Sequence, residues 1–379
     1  FIELRRDFHR HPELGFQEER TARVVEQYLD HYGIPNRRLA GTGVVGLLAG
    51  QRPGPTVLVR ADMDALPIQE VTDRPYRSVR EGVMHACGHD AHTAILLGVA
   101  RVLAGLAGDF PGTVKLVFQP AEEAGGGAKP LIEAGVLQEP PVNGAFGLHV
   151  GSFLPVGTVG LLPRVGMAAS DAATIVVEGK GGHGAMPAET IDATLIAAHI
   201  AVALQTLISR EIPPQEFAVI TVGSLHSGTA ANVISGTAEM KLSIRSFNEG
   251  LRGFLEQRVR EVAQGIAATF RATAAIDYRR GYPVLINDPI MTEYVRQAAT
   301  KILGAEYVRD IPGLPGSEDF AYFLREVPGT FFWVGAGNPE KGIDKPHHHP
   351  EFDIDERALP IGLQVMVQTV LDYLQDHAG

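Results

Sequence analysis

Three short apolar runs, each ending in groups able to hold a cation or carry a proton, limit most strongly how this chain can fold. Residues 56–60 read TVLVR and run out into Asp62, Met63 and Asp64. Residues 113–119 read TVKLVFQ; Pro120 ends them, and Glu122 and Glu123 follow. Residues 142–150 read VNGAFGLHV, with His149 at the far end. Uninterrupted apolar strands belong to sheets covered on both faces. A helical pattern over residues 17–32 precedes them, and others, a stretch ending near Leu106 and residues 128–134, separate them. The alternation predicts an α/β domain with a mainly parallel sheet flanked by helices. In such sheets, sites lie beyond the carboxyl ends of the strands. Asp64, Glu122, Glu123 and His149 all fall there.

Between the first two runs lies MHACGHDAHT, residues 84–93, read here as a loop. It holds three histidines, an aspartate and the only cysteine of 379 residues. Sulfur, imidazole and carboxylate in one short segment are the ligands of a borderline transition metal. A lone cysteine is more often a small buried apolar residue. Here Gly88 separates Cys87 from His89, which lets both lean into one pocket, and an apolar helical pattern follows at once.

From about Ser170 the pattern changes. Strands over 172–180, 217–225, 237–247 and 272–278, with helices over 191–210 and 251–270, follow the order β-α-β-β-α-β of a ferredoxin-like α+β sandwich. We expect it as an insertion over 170–282, within a discontinuous catalytic domain of 1–169 and 283–379. In the resumed part, Ser317 is expected to cap a helix through Leu324, and Asp355 to start a closing helix.

The formal net charge of −11 argues against nucleic acid or an anionic membrane as partner. No run is expected to approach a membrane span. A single cysteine cannot form an internal disulfide, which fits the cytoplasm. GTGVVG, residues 41–46, matches a dinucleotide fingerprint in form. The sequence after it reads as strand, turn, strand, with no helix N-terminus for a pyrophosphate, so that reading is rejected.

Cys87, His89, Glu123, His149 and one histidine of the 347–349 run offer S, N, O, N and N donors. Five protein donors exceed the three of a mononuclear catalytic zinc site. With a bridging water they suit two ions roughly 3.5–4 Å apart. An isolated Glu-Glu pair is usually solvated charge, but at a strand end facing such donors it reads differently. Successive side chains in extended backbone diverge, so one carboxylate can bind metal while its neighbour shuttles protons.

Over nearly its whole length the chain resembles the M20 metallopeptidases, in the amidohydrolase branch of hippurate hydrolases, auxin-conjugate hydrolases and N-acyl-amino-acid deacylases. The resemblance runs through RRDFHRHPELGFQEERT, TGVVG, RADMDALPIQE, GVMHACGHDAHTA, FQPAEEAGGGA, GLHVG, GKGGHGAMP, ANVISG, GSEDF and HHHPEFDIDERAL. It implies a zinc-peptidase-like catalytic domain with a ferredoxin-like lid and dimerisation domain. It also implies two divalent ions (manganese or zinc before cobalt or nickel) on Cys87, His89, Glu123, His149 and His348. Glu122 matches the general acid/base and Asp64 a supporting aspartate; Asp62 and Asp90 are expected to orient histidines. In the lid, His183 matches a histidine that reaches an active site, its own or the partner subunit's, and Asn232 and Arg245 match groups for the substrate carboxylate. The usual proline after ANVI is Ser235 here, a local departure. The implied reaction is hydrolysis of N-acyl amino acids by a cytoplasmic homodimer. A dipeptidase or carboxypeptidase on the same scaffold, and a silent binding protein, are the alternatives.

Overall fold

The computed structural model describes residues 1–378, in two compact units. One comprises Phe1–Gly166, Ile286–Pro312 and Asp319–Gly379; the other comprises Met167–Leu285 and Gly313–Glu318. The first boundary lies three residues before the expected one and the second three after it. Grouping of residues 313–318 with the second unit was not anticipated.

Among the described residues, the first unit holds an eight-stranded mixed sheet. Its order is Asn36–Leu39, Gly43–Ala49, Pro111–Gln119, Arg52–Asp62, Gly144–Pro155, Gly329–Gly337, Val159–Leu161 and Val308–Asp310. The third to sixth strands run parallel, and the Gly43–Ala49 strand joins them antiparallel. Val57, Leu58, Leu116, Val117, Phe146 and Phe332 are fully buried, the outcome expected of apolar runs in a covered sheet. Parallel register sets Asp62 beside Gln119 and His149 beside Trp333, so the strands deliver their polar ends to one edge.

The helix expected after the MHACGHDAHT loop starts inside it, at His89, and runs to Gly105. Apolar periodicity concealed this, because its first turns carry His89, Asp90 and His92. It packs against the closing helix, which begins at Ala358 and not at Asp355. Ser317 caps no helix either. The next one is Ala321–Glu326, and the Ser317 hydroxyl instead accepts from Arg245 Nη1 at 2.9 Å.

The second unit has the expected ferredoxin-like order, with an antiparallel sheet of Ala218–Ser227, Thr237–Ser246, Ala169–Glu178 and Thr273–Arg280. Burial alternates along its strands, and helices Ala193–Thr206 and Glu249–Thr269 share one core with the buried face. Asp192 and Asn248 cap those helices by accepting backbone N–H groups. By length and composition, residues 193–211 are apolar enough to cross a membrane, against the expectation that no run approaches a span. Ile196, Ile200 and Leu204 bury one side of that helix, and Leu195 and Val202 stay exposed.

Candidate metal centre

Asp64, just past the Arg52–Asp62 strand, is buried and joins three segments. Its Oδ1 accepts the Glu122 N–H at 3.0 Å, and its Oδ2 accepts the Glu123 N–H at 2.9 Å. His89 Nδ1 lies 3.2 Å from Oδ1. With Nδ1 as the donor there, the ring's Nε2 faces away from Asp64; it is buried and has no hydrogen-bond partner.

Gly88 makes the approach to His89 possible. Its φ of +88° lies in the left-handed region, and a Cβ there would stand 2.5 Å from Val150 Cγ2. The tight turn brings Cys87 Sγ within 3.5 Å of His149 Nε2. His149 donates through Nδ1 to its neighbour's carbonyl, Val150 O, at 2.8 Å, which leaves Nε2 as the ligand nitrogen. His348 arrives from the far end of the sequence. Its N–H donates to Ala86 O at 2.8 Å, and its Nε2 lies 3.0 Å from Glu123 Oε1.

Three groups of donor atoms formed by the expected ligands and Glu122 share members: Cys87, His89 and His149; Cys87, Glu123 and His348; His89, Glu122 and Glu123. Within each, the atoms lie within 4.8 Å of one another. The first unit thus brings together Glu122, Asp64 and all five expected ligands.

The local electrostatics fit a cation. Burial pushes the Cys87 thiol well up, and the charges of Glu123, Glu122 and Asp62 push it further. Burial would lower His89, but Asp62 and Asp64 outweigh it and raise the imidazole to about 10. Burial, aided by His92 and His347, holds His149 well down and neutral. Left to itself, the cluster keeps its sulfur protonated and balances its carboxylates with a protonated His89. A divalent ion would replace both protons, and thiolate and neutral imidazole are the ligating forms.

His92, which composition alone made as good a ligand as His89, is engaged elsewhere. Its Nδ1 donates to Asp62 Oδ1 at 2.6 Å, and its Nε2 accepts the Val150 N–H at 2.9 Å. His347 donates through Nε2 to Val150 O at 2.9 Å. Sequence reasoning missed Arg60, a cation in a strand read as apolar. It is buried between Asp62 (2.7 Å) and Asp319 (2.8 Å).

The second unit carries the other three residues. His183 and Asn232 are exposed and adjacent: Gly184 N–H donates to Asn232 O at 2.8 Å, and His183 pairs in register with Val233. Arg245 is half-buried on the Thr237–Ser246 strand.

A model of peptidase family M20/M25/M40 matches residues 58–372. A Bacillus subtilis protein named as an amidohydrolase, YhaA, is 43% identical, with 99% of this chain and 94% of that protein aligned. Thermostable carboxypeptidase 1 of Saccharolobus solfataricus is 41% identical over 95% of this chain and 92% of its own. An N-acetyl-L-cysteine deacetylase of Bacillus subtilis is also 41% identical, over 94% and 84%. Among solved structures, a dinuclear metal-binding peptidase of the M20 family from Bacillus subtilis superposes with a TM-score of 0.86. It is 36% identical, covering 99% of this chain and 97% of that one.

Gly88→Ala adds a methyl group against Val150 and a left-handed strain. We expect a loss of roughly 1–3 kcal/mol in denaturant unfolding. An unchanged midpoint would show that the turn does not need glycine.

Proposed function

The chain belongs to peptidase family M20/M25/M40 and is a metal-dependent amide hydrolase; on that premise we propose that it cleaves N-acyl amino acids to a carboxylate and a free amino acid. The observation that carries this reading is the overlap of the donor groups, with the Glu122 carboxylate among them. In this proposal Cys87, His89 and His149 hold one divalent ion, and Cys87, Glu123 and His348 hold a second. Manganese or zinc is preferred over cobalt or nickel; the mixed S, N and O donors support a borderline metal. When bound, such a pair polarises a carbonyl and makes water acidic enough to attack near neutral pH.

The remaining work falls to side chains. Glu122 takes a proton from the attacking water as the C–O bond forms, then delivers one to the departing nitrogen as the C–N bond breaks. Its backbone N–H is tied to Asp64, which fixes where the carboxylate starts. His183 stabilises the developing oxyanion, in its own or the partner subunit's site. Asn232 and Arg245 hold the carboxylate of the amino-acid half, Arg245 through its planar fork. The match of these three to the family pattern supports their roles.

We further propose a homodimer formed through the second unit, which serves as the lid. Leu195 and Val202 are exposed on its first helix, and the Ala218–Ser227 strand, with exposed Val219 and Leu225, lies at its sheet edge. An apolar helix face beside an open strand edge is the kind of surface a second copy covers. Light scattering should report twice the chain mass; the mass of one chain would overturn this. The single cysteine supports a reducing, cytoplasmic setting.

The archaeal carboxypeptidase relative favours one alternative, removal of a C-terminal residue from a peptide. A panel of acetyl- and benzoyl-amino acids against dipeptides and longer peptides decides between them. We expect N-acyl amino acids to lead by at least about tenfold in kcat/KM, the margin of one good discriminating contact. A lead for peptides would transfer the assignment.

Glu122→Gln should lower kcat by about 10²–10⁴-fold, with KM and bound metal unchanged. Surviving turnover, or loss of metal, would remove Glu122 from the proton-transfer role.

A further inference from the structure

The N-terminal RRDFHRHPEL motif has no part in the reaction derived above, yet its Arg5 and His9 are buried. Both lie on the helix Ile2–Arg10, and both reach Asp90, the residue after His89. Arg5 Nε stands 2.7 Å and His9 Nδ1 2.8 Å from Asp90 Oδ2. The other end of the same guanidinium turns to a different segment. Arg5 Nη2 donates to Asp353 Oδ1 at 3.0 Å, and Nη1 lies 3.5 Å from Glu356 Oε1. Tyr76 completes the arrangement: its ring lies 5.0 Å from the Arg5 guanidinium, and its hydroxyl donates to Asp353 Oδ2 at 2.8 Å. Asp353 Oδ2 also meets Arg74 Nε at 3.0 Å.

Asp353 lies in the same loop as His348, five residues further on and ahead of the closing helix. That histidine has a φ of +66° and a half-exposed side chain, so little local packing holds it. The loop is attached by the His348 N–H to Ala86 O, by the Val71 N–H to Pro350 O at 3.1 Å, and by Arg5 to Asp353.

We propose that Arg5 is a positioning residue of the metal centre: one buried guanidinium that fixes the Cys87–His89 segment, through Asp90, against the His348 loop, through Asp353. Its planar fork suits two carboxylates in different directions, which a single ammonium cannot satisfy equally. Outer partners that fix ligand-bearing segments set metal affinity as well as fold. The inference rests on the two-ion reading of the site.

The test compares wild type with Arg5→Lys, Asp353→Asn and, as control, Arg6→Met. Arg6 is on the same helix but bonds Glu356 and Glu3 and neither Asp90 nor Asp353. Each protein is freed of metal and titrated with manganese and with cobalt under chelator competition; cobalt-loaded absorption spectra and metal-free melting temperatures are recorded. Arg5→Lys and Asp353→Asn should weaken the more loosely held ion by roughly 10–100-fold and alter the cobalt spectrum, while Arg6→Met matches wild type in both. Lower melting temperatures with wild-type affinities and spectra would reduce Arg5 to a structural role and overturn the proposal. Should Arg5→Lys fail to fold, the near-isosteric Asp353→Asn, which keeps Tyr76 and Arg74 beside it, decides alone. Wild type that binds fewer than two ions would sink the two-ion reading instead, a result separable from failure of the clamp.

Discussion

The candidate metal centre depends first on one carboxylate, Asp64, that belongs to none of its groups of donor atoms. Asp64 accepts two successive backbone N–H groups, of Glu122 and Glu123, and lies beside His89 Nδ1. Hydrogen bonds to an ionised group contribute about 1.5–3 kcal/mol each, and a buried N–H left without a partner costs about as much. The peptide at 122–123 is therefore pinned at both nitrogens. Ala121, held at a φ of +52°, turns the chain into that position against a strain of about 1–3 kcal/mol. Its own N–H donates to the buried Glu18 carboxylate at 2.9 Å, so the strained residue is also tied down. Neighbouring carboxylates on a backbone fixed this way cannot exchange places. This is the physical basis for giving Glu122 and Glu123 different tasks.

A second set of buried charges aims the histidines. Arg60 stands between Asp62 and Asp319, and Asp319 also accepts from Gln119 and the Ala128 N–H. Asp62 sets the tautomer of His92, whose Nε2 then receives the Val150 N–H. The Val150 carbonyl in turn takes His149 Nδ1 and His347 Nε2. Arg60 in mid-sheet is thus linked to the orientation of His149 through consecutive polar contacts. Buried ion pairs of this kind contribute little net stability, because desolvation offsets attraction. Their effect is to select one arrangement, in which His92 is bonded at both ring nitrogens.

The sequence showed the sheet, the strand ends and the donor types, because apolar continuity and chemistry are local properties. Residues 56–60 and 113–119 lie within observed strands, and 142–150 overlaps one from Gly144 onward. What stayed hidden was set by contacts across long separations. Nothing near His89 and His92 distinguishes them until Asp64 and Asp62 arrive from another strand. Arg60 passes as the last residue of an apolar run until Asp319 is found beside it. The start of the helix at His89 was obscured because its first turn spends its residues on the site and not on an apolar stripe. His348 was separable from His347 and His349 only by family resemblance, since the three differ in what they reach and not in local pattern.

The five donors are also held unequally, and the inequality follows from where each sits. His149 is on a strand paired on both sides, and His89 opens a helix packed in the main core. Cys87 stands two residues before that helix, and Glu123 four residues past the strand Pro111–Gln119. His348 has neither strand nor helix and lies about two hundred residues beyond the nearest other donor in sequence. Bringing so distant a segment to the site costs little more entropy than a nearer one, because closure grows only with the logarithm of loop length. Holding it in a single conformation is the larger cost, at about 1–2 kcal/mol per ordered residue. The surrounding chain meets that cost with backbone hydrogen bonds to Ala86 and from Val71, and with the buried charges around Asp353. The loop of the least supported donor is accordingly one that the N-terminal helix, remote in sequence, meets with polar contacts, at Asp353 and Glu356.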